Sequence, residues 1–91
     1  MSKDEVVYIG SKPILSYVTA IVTALQRSEK VNILARGRAI SSAVDVVEIT
    51  KRSFMTDLGV EKISIGTEVL GEEESKRNVS TISIVVKRKK S

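Results

Sequence analysis

The stretch from Lys30 to Asp45, KVNILARGRAISSAVD, changes from a strand pattern to a helix pattern at Gly37. The alternating residues of its first half are Val31, Ile33 and Ala35 on one side and Asn32, Leu34 and Arg36 on the other. Because Leu34 is apolar as well, the alternation predicts a largely buried central strand. Gly37 permits a tight turn, and a helical pattern follows at once. A strand joined directly to a helix is typical of sheets that are covered by helices.

A strand and a helix precede this stretch. Val6–Ile9 is a short β-rich run ended by Gly10, and Pro13 suits the first position of a helix. The apolar residues of that helix recur on one face: Ile14, Leu15, Val18, Ile21, Val22 and Leu25. The strand–helix–strand order predicts a parallel pair of strands with a right-handed crossover.

The second helix is predicted to run from about Ile40 to Phe54 or Met55, with Gly59 as its C-terminal stop. One apolar stripe consists of Ile40, Ala43, Val44, Val47 and Phe54. Val46 lies well away from the centre of that stripe, as does Ile49, so this helix is apolar on more than one side. In so small a domain, the second apolar side could cover another subunit.

Two strand patterns, Glu61–Leu70 and Val79–Lys89, end the chain, and the polar residues 71–78 connect them. They predict a long antiparallel hairpin whose first strand spans roughly 33 Å, so part of it should project from the domain. The predicted fold class is therefore α+β, an α/β two-layer sandwich of the order β-α-β-α-β-β with a mixed four-stranded sheet and two helices. Residues 1–91 are expected to form a single domain, with 1–5 and 90–91 flexible.

The composition excludes several kinds of chemistry. The 91 residues include no cysteine and no histidine, which removes thiolate nucleophiles, the usual zinc sites and imidazole acid–base catalysis. No apolar run approaches the ~20 residues that cross a bilayer, and the N-terminus has no long apolar signal region. The sequence predicts a cytoplasmic protein with no membrane partner, no cofactor, no metal and no catalytic residues. Carboxylates such as Asp45 and Glu48 are better explained as solvated helix charges.

The net charge of +4 favours a polyanionic partner such as nucleic acid, although many small basic proteins bind none specifically. Residues 51–91 carry nine Lys or Arg against six Asp or Glu. Four of these cations form a tail, Lys87–Lys90. Such a run is usually solvated, but this one extends a strand and could lie along a nucleic-acid backbone.

Cations also stand at both strand-to-helix joints. Arg36 and Arg38 flank Gly37 where a helix begins with free N–H groups, a setting that suits phosphate oxygens. Lys12, in the sequence GSKP with Ser11, occupies the corresponding place before the first helix. Because loops that follow adjacent parallel strands emerge at the same end of a sheet, these three cations should converge. The alternative is that all three are solvated loop residues.

The tip of the hairpin presents a second candidate contact. Lys76 and Arg77, followed by Asn78, could enter a groove, whereas the three glutamates Glu72–Glu74 would repel phosphate, so a solvated turn is the alternative. The chain has three aromatic residues, Tyr8, Tyr17 and Phe54, which are too few for a platform that stacks single-stranded bases.

Three segments together, GSKPILSYVTAIV, ARGRAISSAVDVVEI and VSTISIVVKRK, resemble the Alba family, the small basic chromatin proteins of archaea. The resemblance covers nearly the whole chain. It implies a homodimer whose two hairpins lie along the minor groove of double-stranded DNA while the body meets phosphates, with RNA bound as well. The expected function is to coat and compact DNA, on the chromosome or nucleoid.

The same resemblance implies roles for individual residues. Lys12 matches a loop lysine that is acetylated in some relatives, which implies an acetylating and deacetylating enzyme pair as partners. Arg36 and Arg38 match the two arginines of the family's central motif. Tyr17 matches a tyrosine implicated in RNA contact, and Phe54 an aromatic through which bound dimers associate.

The chain also departs from the family pattern at three basic positions. Ser11 and Ser42 stand where many relatives have lysine, and Asn78 stands where a basic residue is common. The body is therefore less basic than the family's best-known pattern. Three other hypotheses remain at this point: a primarily RNA-binding protein in RNA stabilisation or a ribonucleoprotein, a protein-assembly module that uses the second helix with Phe54, and an enzyme.

Overall fold

A computed structural model describes residues 4–89. Its elements are β1 (Glu5–Tyr8), α1 (Ile14–Ala24), β2 (Lys30–Arg36), α2 (Ala39–Ile49), β3 (Leu58–Leu70) and β4 (Arg77–Arg88). A π-helical turn, Thr50–Phe54, continues α2, and a 3-10 turn, Glu73–Ser75, lies in the β3–β4 connection. The predicted order of elements is confirmed. The predicted flexible ends fall mostly outside the described residues, and within them Glu5 is the first residue of β1.

The four strands form one mixed sheet in the order β1-β2-β4-β3. β1 pairs with β2 in parallel, with Val7 opposite Ile33. β4 runs antiparallel to both β2 and β3, and places Ile84 opposite Ile33 of β2. The predictions of a parallel first pair and a central β2 are confirmed.

Both helices cover the same face of the sheet and enclose the core with it. β2 and β4 contribute Val31, Ile33, Ile84 and Val86, and the helices contribute Val18, Ile21, Ala43 and Val46, all of them buried. The prediction for α2 was partly wrong, because Val46 is fully buried whereas Val44 is 45% exposed. α2 packs against α1 as well as against β2, and this double contact turns Val46 into the core.

The predicted role of Gly59 was wrong. The helical segment already ends at Phe54, and Gly59 is a buried residue of β3. The side chain of Lys89 lies directly over it, so a Cβ at this position would come within 2.7 Å of the Lys89 Cε. Gly59 is therefore in close contact with the end of the flexible Lys89 side chain, which would have to move to make room for a Cβ.

The β3–β4 hairpin projects from the domain, as predicted. β3 is three residues longer than expected at its start, and its residues 60–69 are exposed. The molecule is accordingly elongated, with extents of 52 × 30 × 17 Å. Arg77 and Asn78, which were expected in the connection, are the first residues of β4 and pair with Leu70 and Val69. Within the described residues, no helix is long and apolar enough to span a membrane.

Candidate nucleic-acid interface

Three cations predicted to converge lie at one edge of the sheet. Because β1 and β2 are parallel neighbours, the β1–α1 loop with Lys12 and the β2–α2 turn with Arg36 and Arg38 leave the sheet at the same end. The backbone N–H of Ile9 donates a hydrogen bond of 2.8 Å to the carbonyl of Leu34, which holds the two strand ends side by side. All three cationic side chains are exposed. We call these three residues the cationic edge.

The hairpin projects from this same edge. Arg36, the last residue of β2, pairs with Thr81 of β4, which in turn pairs with Gly66 of β3. Residues 67–80 therefore extend beyond the end of β2, and we call them the arm. Gly37 extends the pairing of β2 with β4 by one further hydrogen bond: its N–H donates to the carbonyl of Ser80, at the base of the arm, at 2.8 Å. The arm therefore begins directly beside the cationic edge.

The β1–α1 loop is held by Tyr17. Its hydroxyl oxygen accepts hydrogen bonds from the backbone N–H groups of Gly10, at 2.8 Å, and Lys12, at 2.9 Å. The ring is buried, with 7% of the residue exposed. Tyr17 therefore fixes the backbone that carries Lys12. Its direct contact with RNA stays a prediction, whereas this positioning role had no signal in the sequence.

Replacing Tyr17 with Phe should loosen this loop. Tyr17→Phe removes the acceptor of two partly buried N–H groups, so the free energy of unfolding should fall by about 1–2 kcal/mol. Denaturant unfolding measures this change, and hydrogen exchange should become faster at Gly10 and Lys12. Tyr8→Phe is the matched control, because Tyr8 is 74% exposed. Equal stability and equal exchange protection in the two variants would contradict this role of Tyr17.

The turn between β2 and α2 requires a glycine. Gly37 has a φ of 58°, in the left-handed region that favours glycine. Arg38 is the residue before the first helical residue, Ala39, and no side chain caps the helix there. The N-terminal end of α2 therefore lies beside the Arg38 backbone.

One of the edge cations has a carboxylate partner. Arg36 Nη1 donates to Glu68 Oε1 of the arm at 2.8 Å, and the two side chains remain 58% and 50% exposed. Within residues 4–89, Lys12 and Arg38 make no ion pair. No local pattern in the sequence points to Glu68, because it lies 32 positions from Arg36 and only the register of three strands brings the two together.

The tip of the arm carries charges of both signs. Lys76 Nζ lies 2.9 Å from the Glu73 carboxylate, so this lysine is partly neutralised. Arg77 and Asn78 are exposed at the start of β4. Ser11 is exposed in the β1–α1 loop, beside Lys12. Nucleic-acid contact by these residues stays a prediction.

The basic tail does not join the cationic edge. Lys87 pairs with Lys30 at the first residue of β2, which is the opposite end of the sheet from Arg36. The cations there have carboxylate partners: Glu61 contacts Lys30 at 2.9 Å and Lys87 at 3.7 Å, and Arg88 contacts Asp57 at 2.9 Å. The hydrogen bond from Lys30 lowers the pKa of the Glu61 carboxyl and raises that of the lysine itself. Lys90 lies outside the described residues.

Apolar side chains are exposed on the helix side of β3. The residues Val60, Ile63, Ile65 and Val69, which we call the apolar strip, are 45%, 59%, 82% and 58% exposed. Ile63 and Ile65 pair with Ile84 and Ile82, whose side chains belong to or pack against the core, so the strip continues the core face beyond the helices. Phe54, at the end of the π-helical turn, is 56% exposed. Its contact between dimers stays a prediction.

These features define a class of protein: a two-layer α/β domain that presents cations and a projecting hairpin at one edge. The Alba family model matches residues 5–67. The DNA/RNA-binding protein Alba of Methanothrix thermoacetophila is 47% identical over 87 residues, which cover 94% of this chain and 98% of that relative. The chain belongs to the Alba family, so the resemblance found in the sequence is confirmed.

Solved structures agree with this assignment. Alba from Thermoplasma volcanium matches with a TM-score of 0.86 at 42% identity, covering 92% of this chain and all of that one. ALBA1 from Trypanosoma brucei matches with a TM-score of 0.79 at 30% identity, covering 92% of this chain and 68% of that one. The predicted fold class is therefore confirmed.

Proposed function

We propose that this chain is a sequence-nonspecific architectural protein that coats and compacts double-stranded DNA as a homodimer and also binds RNA. The carrying observation is that three exposed cations, Lys12, Arg36 and Arg38, share the sheet edge from which the arm projects. Cations on loops contact phosphate and carry little sequence information. The names of the archaeal relatives, DNA/RNA-binding protein Alba, support the same function. The protein would act in the cytoplasm on the chromosome.

The arm is proposed to extend the contact along the duplex. It is a two-stranded ribbon, a shape that can follow a groove, and it carries Arg77 and Asn78 near its tip. The glutamates of the tip, Glu72–Glu74, would repel phosphates. Because Lys76 is paired with Glu73, the arm should contribute mainly its shape and one cation per chain, Arg77.

The homodimer is proposed on the apolar strip. Ile65 is 82% exposed, and on α2 Val44 is 45% exposed as well. A second copy of the chain offers an apolar surface of the same kind, and a twofold axis makes such a contact self-complementary. Dimerisation would also double the cations from three to six. Phe54 is proposed as the contact through which bound dimers associate.

Lys12 is the proposed site of regulation by acetylation. Its side chain is exposed, and acetylation would remove one of the three charges of the cationic edge. An acetylating and deacetylating enzyme pair would then adjust affinity without changing the fold.

Arg38→Ala tests the proposed function. The variant should weaken binding to every duplex by a similar factor and reduce the slope of log affinity against log salt by about 1 for each phosphate that the protein no longer neutralises. Arg52→Ala is the matched control, because Arg52 is an exposed arginine in the π-helical turn, at the opposite end of the α2 segment. Fluorescence anisotropy on two short duplexes of unrelated sequence and one RNA hairpin measures all three affinities. Unchanged affinity, or weaker binding to one sequence alone, would contradict the proposal.

The same samples can rank DNA against RNA. Competition between the short duplex and the RNA hairpin for one sample of wild-type protein compares the two ligands directly. Preference for the hairpin at physiological salt would favour the RNA-binding alternative over the architectural role.

A further inference from the structure

Within residues 4–89, Glu68 is the carboxylate that contacts the cationic edge. Its Oε1 accepts a hydrogen bond of 2.8 Å from Arg36 Nη1, and the pair makes this one bond instead of the two of a bidentate pair. The other donors of the Arg36 guanidinium make no hydrogen bond to the described residues. The guanidinium is therefore only partly occupied by its partner.

The contact is open to solvent and hence to competition. Arg36 is 58% and Glu68 50% exposed in their side chains. An exposed ion pair contributes little net stability, whereas phosphate offers an arginine two parallel charge-assisted hydrogen bonds. A nucleic-acid phosphate can therefore take the place of the carboxylate on Arg36.

Glu68 reaches Arg36 from the arm. Glu68 pairs with Val79, two residues before the β4 residue Thr81 that pairs with Arg36, so the ion pair spans β4 diagonally. It connects the projecting part of the hairpin to the end of β2. A phosphate that displaces Glu68 would break this connection and leave a negative charge beside the bound backbone.

We propose that Glu68 is an intramolecular competitor for phosphate at Arg36. The carboxylate occupies the guanidinium in the free protein and is displaced when nucleic acid binds. Glu68 thereby lowers affinity at this position and favours release. This inference rests on the proposed function, because it takes Arg36 to be a phosphate ligand.

A double-mutant cycle tests it. Affinity for one short duplex is measured by anisotropy at low salt for the wild type, Glu68→Gln, Arg36→Ala and the double variant. Glu68→Gln should tighten binding by about two- to five-fold in the wild-type background. In the Arg36→Ala background the same substitution should give a clearly smaller gain in affinity, because the guanidinium for which Glu68 competes is gone. Thermal unfolding checks that all four proteins are folded, as expected for changes at exposed positions.

Glu74→Gln is the matched control, since it removes the same charge from the same hairpin at an exposed residue that makes no ion pair within the described part of the chain. It should change affinity less than Glu68→Gln does. Equal gains from Glu68→Gln in both backgrounds would show general repulsion and overturn the inference, as would unchanged or weaker binding in the wild-type background. If Arg36→Ala binds as tightly as wild type while Arg38→Ala does not, the inference fails and the proposed function stands. If neither arginine matters, both fail.

Discussion

If the protein is the proposed dimer, raising the salt concentration from 50 to 200 mM is expected to weaken its binding to duplex DNA by roughly 10³–10⁴-fold. Three exposed edge cations and Arg77 make four per chain, and two chains make eight. If six to eight of them each meet one phosphate, the slope of log affinity against log salt is about −5 to −7. The physical cause is the release of counterions from the duplex.

A salt series of anisotropy titrations on one short duplex measures this slope. The double variant Arg36→Ala with Arg38→Ala removes four cations from a dimer, so its slope should be flatter than that of the wild type by about 3–4. A second duplex of unrelated sequence should give the same slopes. A decrease in affinity of less than about tenfold across this salt range would mean that phosphate contacts are not what holds the complex together.

Ile65→Glu is expected to convert the proposed dimer into a folded monomer. Ile65 is 82% exposed in the isolated chain, so a glutamate there costs the monomer little. In a dimer formed on the apolar strip, each of the two chains would bury one unpaired glutamate charge. A penalty of several kcal/mol raises the dimer dissociation constant by a factor on the order of 10³ or more.

Sedimentation equilibrium measures the oligomeric state, and circular dichroism checks the fold. Ser64→Glu is the matched control, because Ser64 is the exposed neighbour that points to the opposite face of the same strand. It should stay dimeric. If the Ile65→Glu variant is still a dimer, the dimer contact lies elsewhere on the chain. If the wild type is a monomer, the proposed dimer does not exist.

Much of the fold could be predicted because its signals are local. The alternation of Val31, Ile33 and Ala35 indicated a buried strand, and all three are buried on the helix side of the sheet. The placement of the two cationic loops at the same end of the sheet followed from the parallel pairing of β1 and β2. The error at Val46 had a tertiary cause, since the periodicity of α2 could not tell that α1 would pack beside it.

The roles of single glycines and carboxylates were harder to predict. Gly59 looked like a helix stop, but it is a buried residue of β3 covered by the side chain of Lys89, thirty positions away. Glu68 occupies an ordinary exposed position of β3 in the sequence pattern, and only the pairing of β2, β4 and β3 places it beside Arg36. Such contacts join residues that are far apart in the chain, so no local pattern signals them.

By itself, the order of residues determined the six elements, the long hairpin and the location of cations where strands become helices, because hydrophobic period and turn chemistry act over a few neighbouring positions. Only the tertiary structure decided which cations pair with carboxylates and which remain free to contact a phosphate. Sheet register separates the tail from the cationic edge and gives Arg36 a partner on the arm. The packing of α1 places the Tyr17 hydroxyl against the loop that carries Lys12.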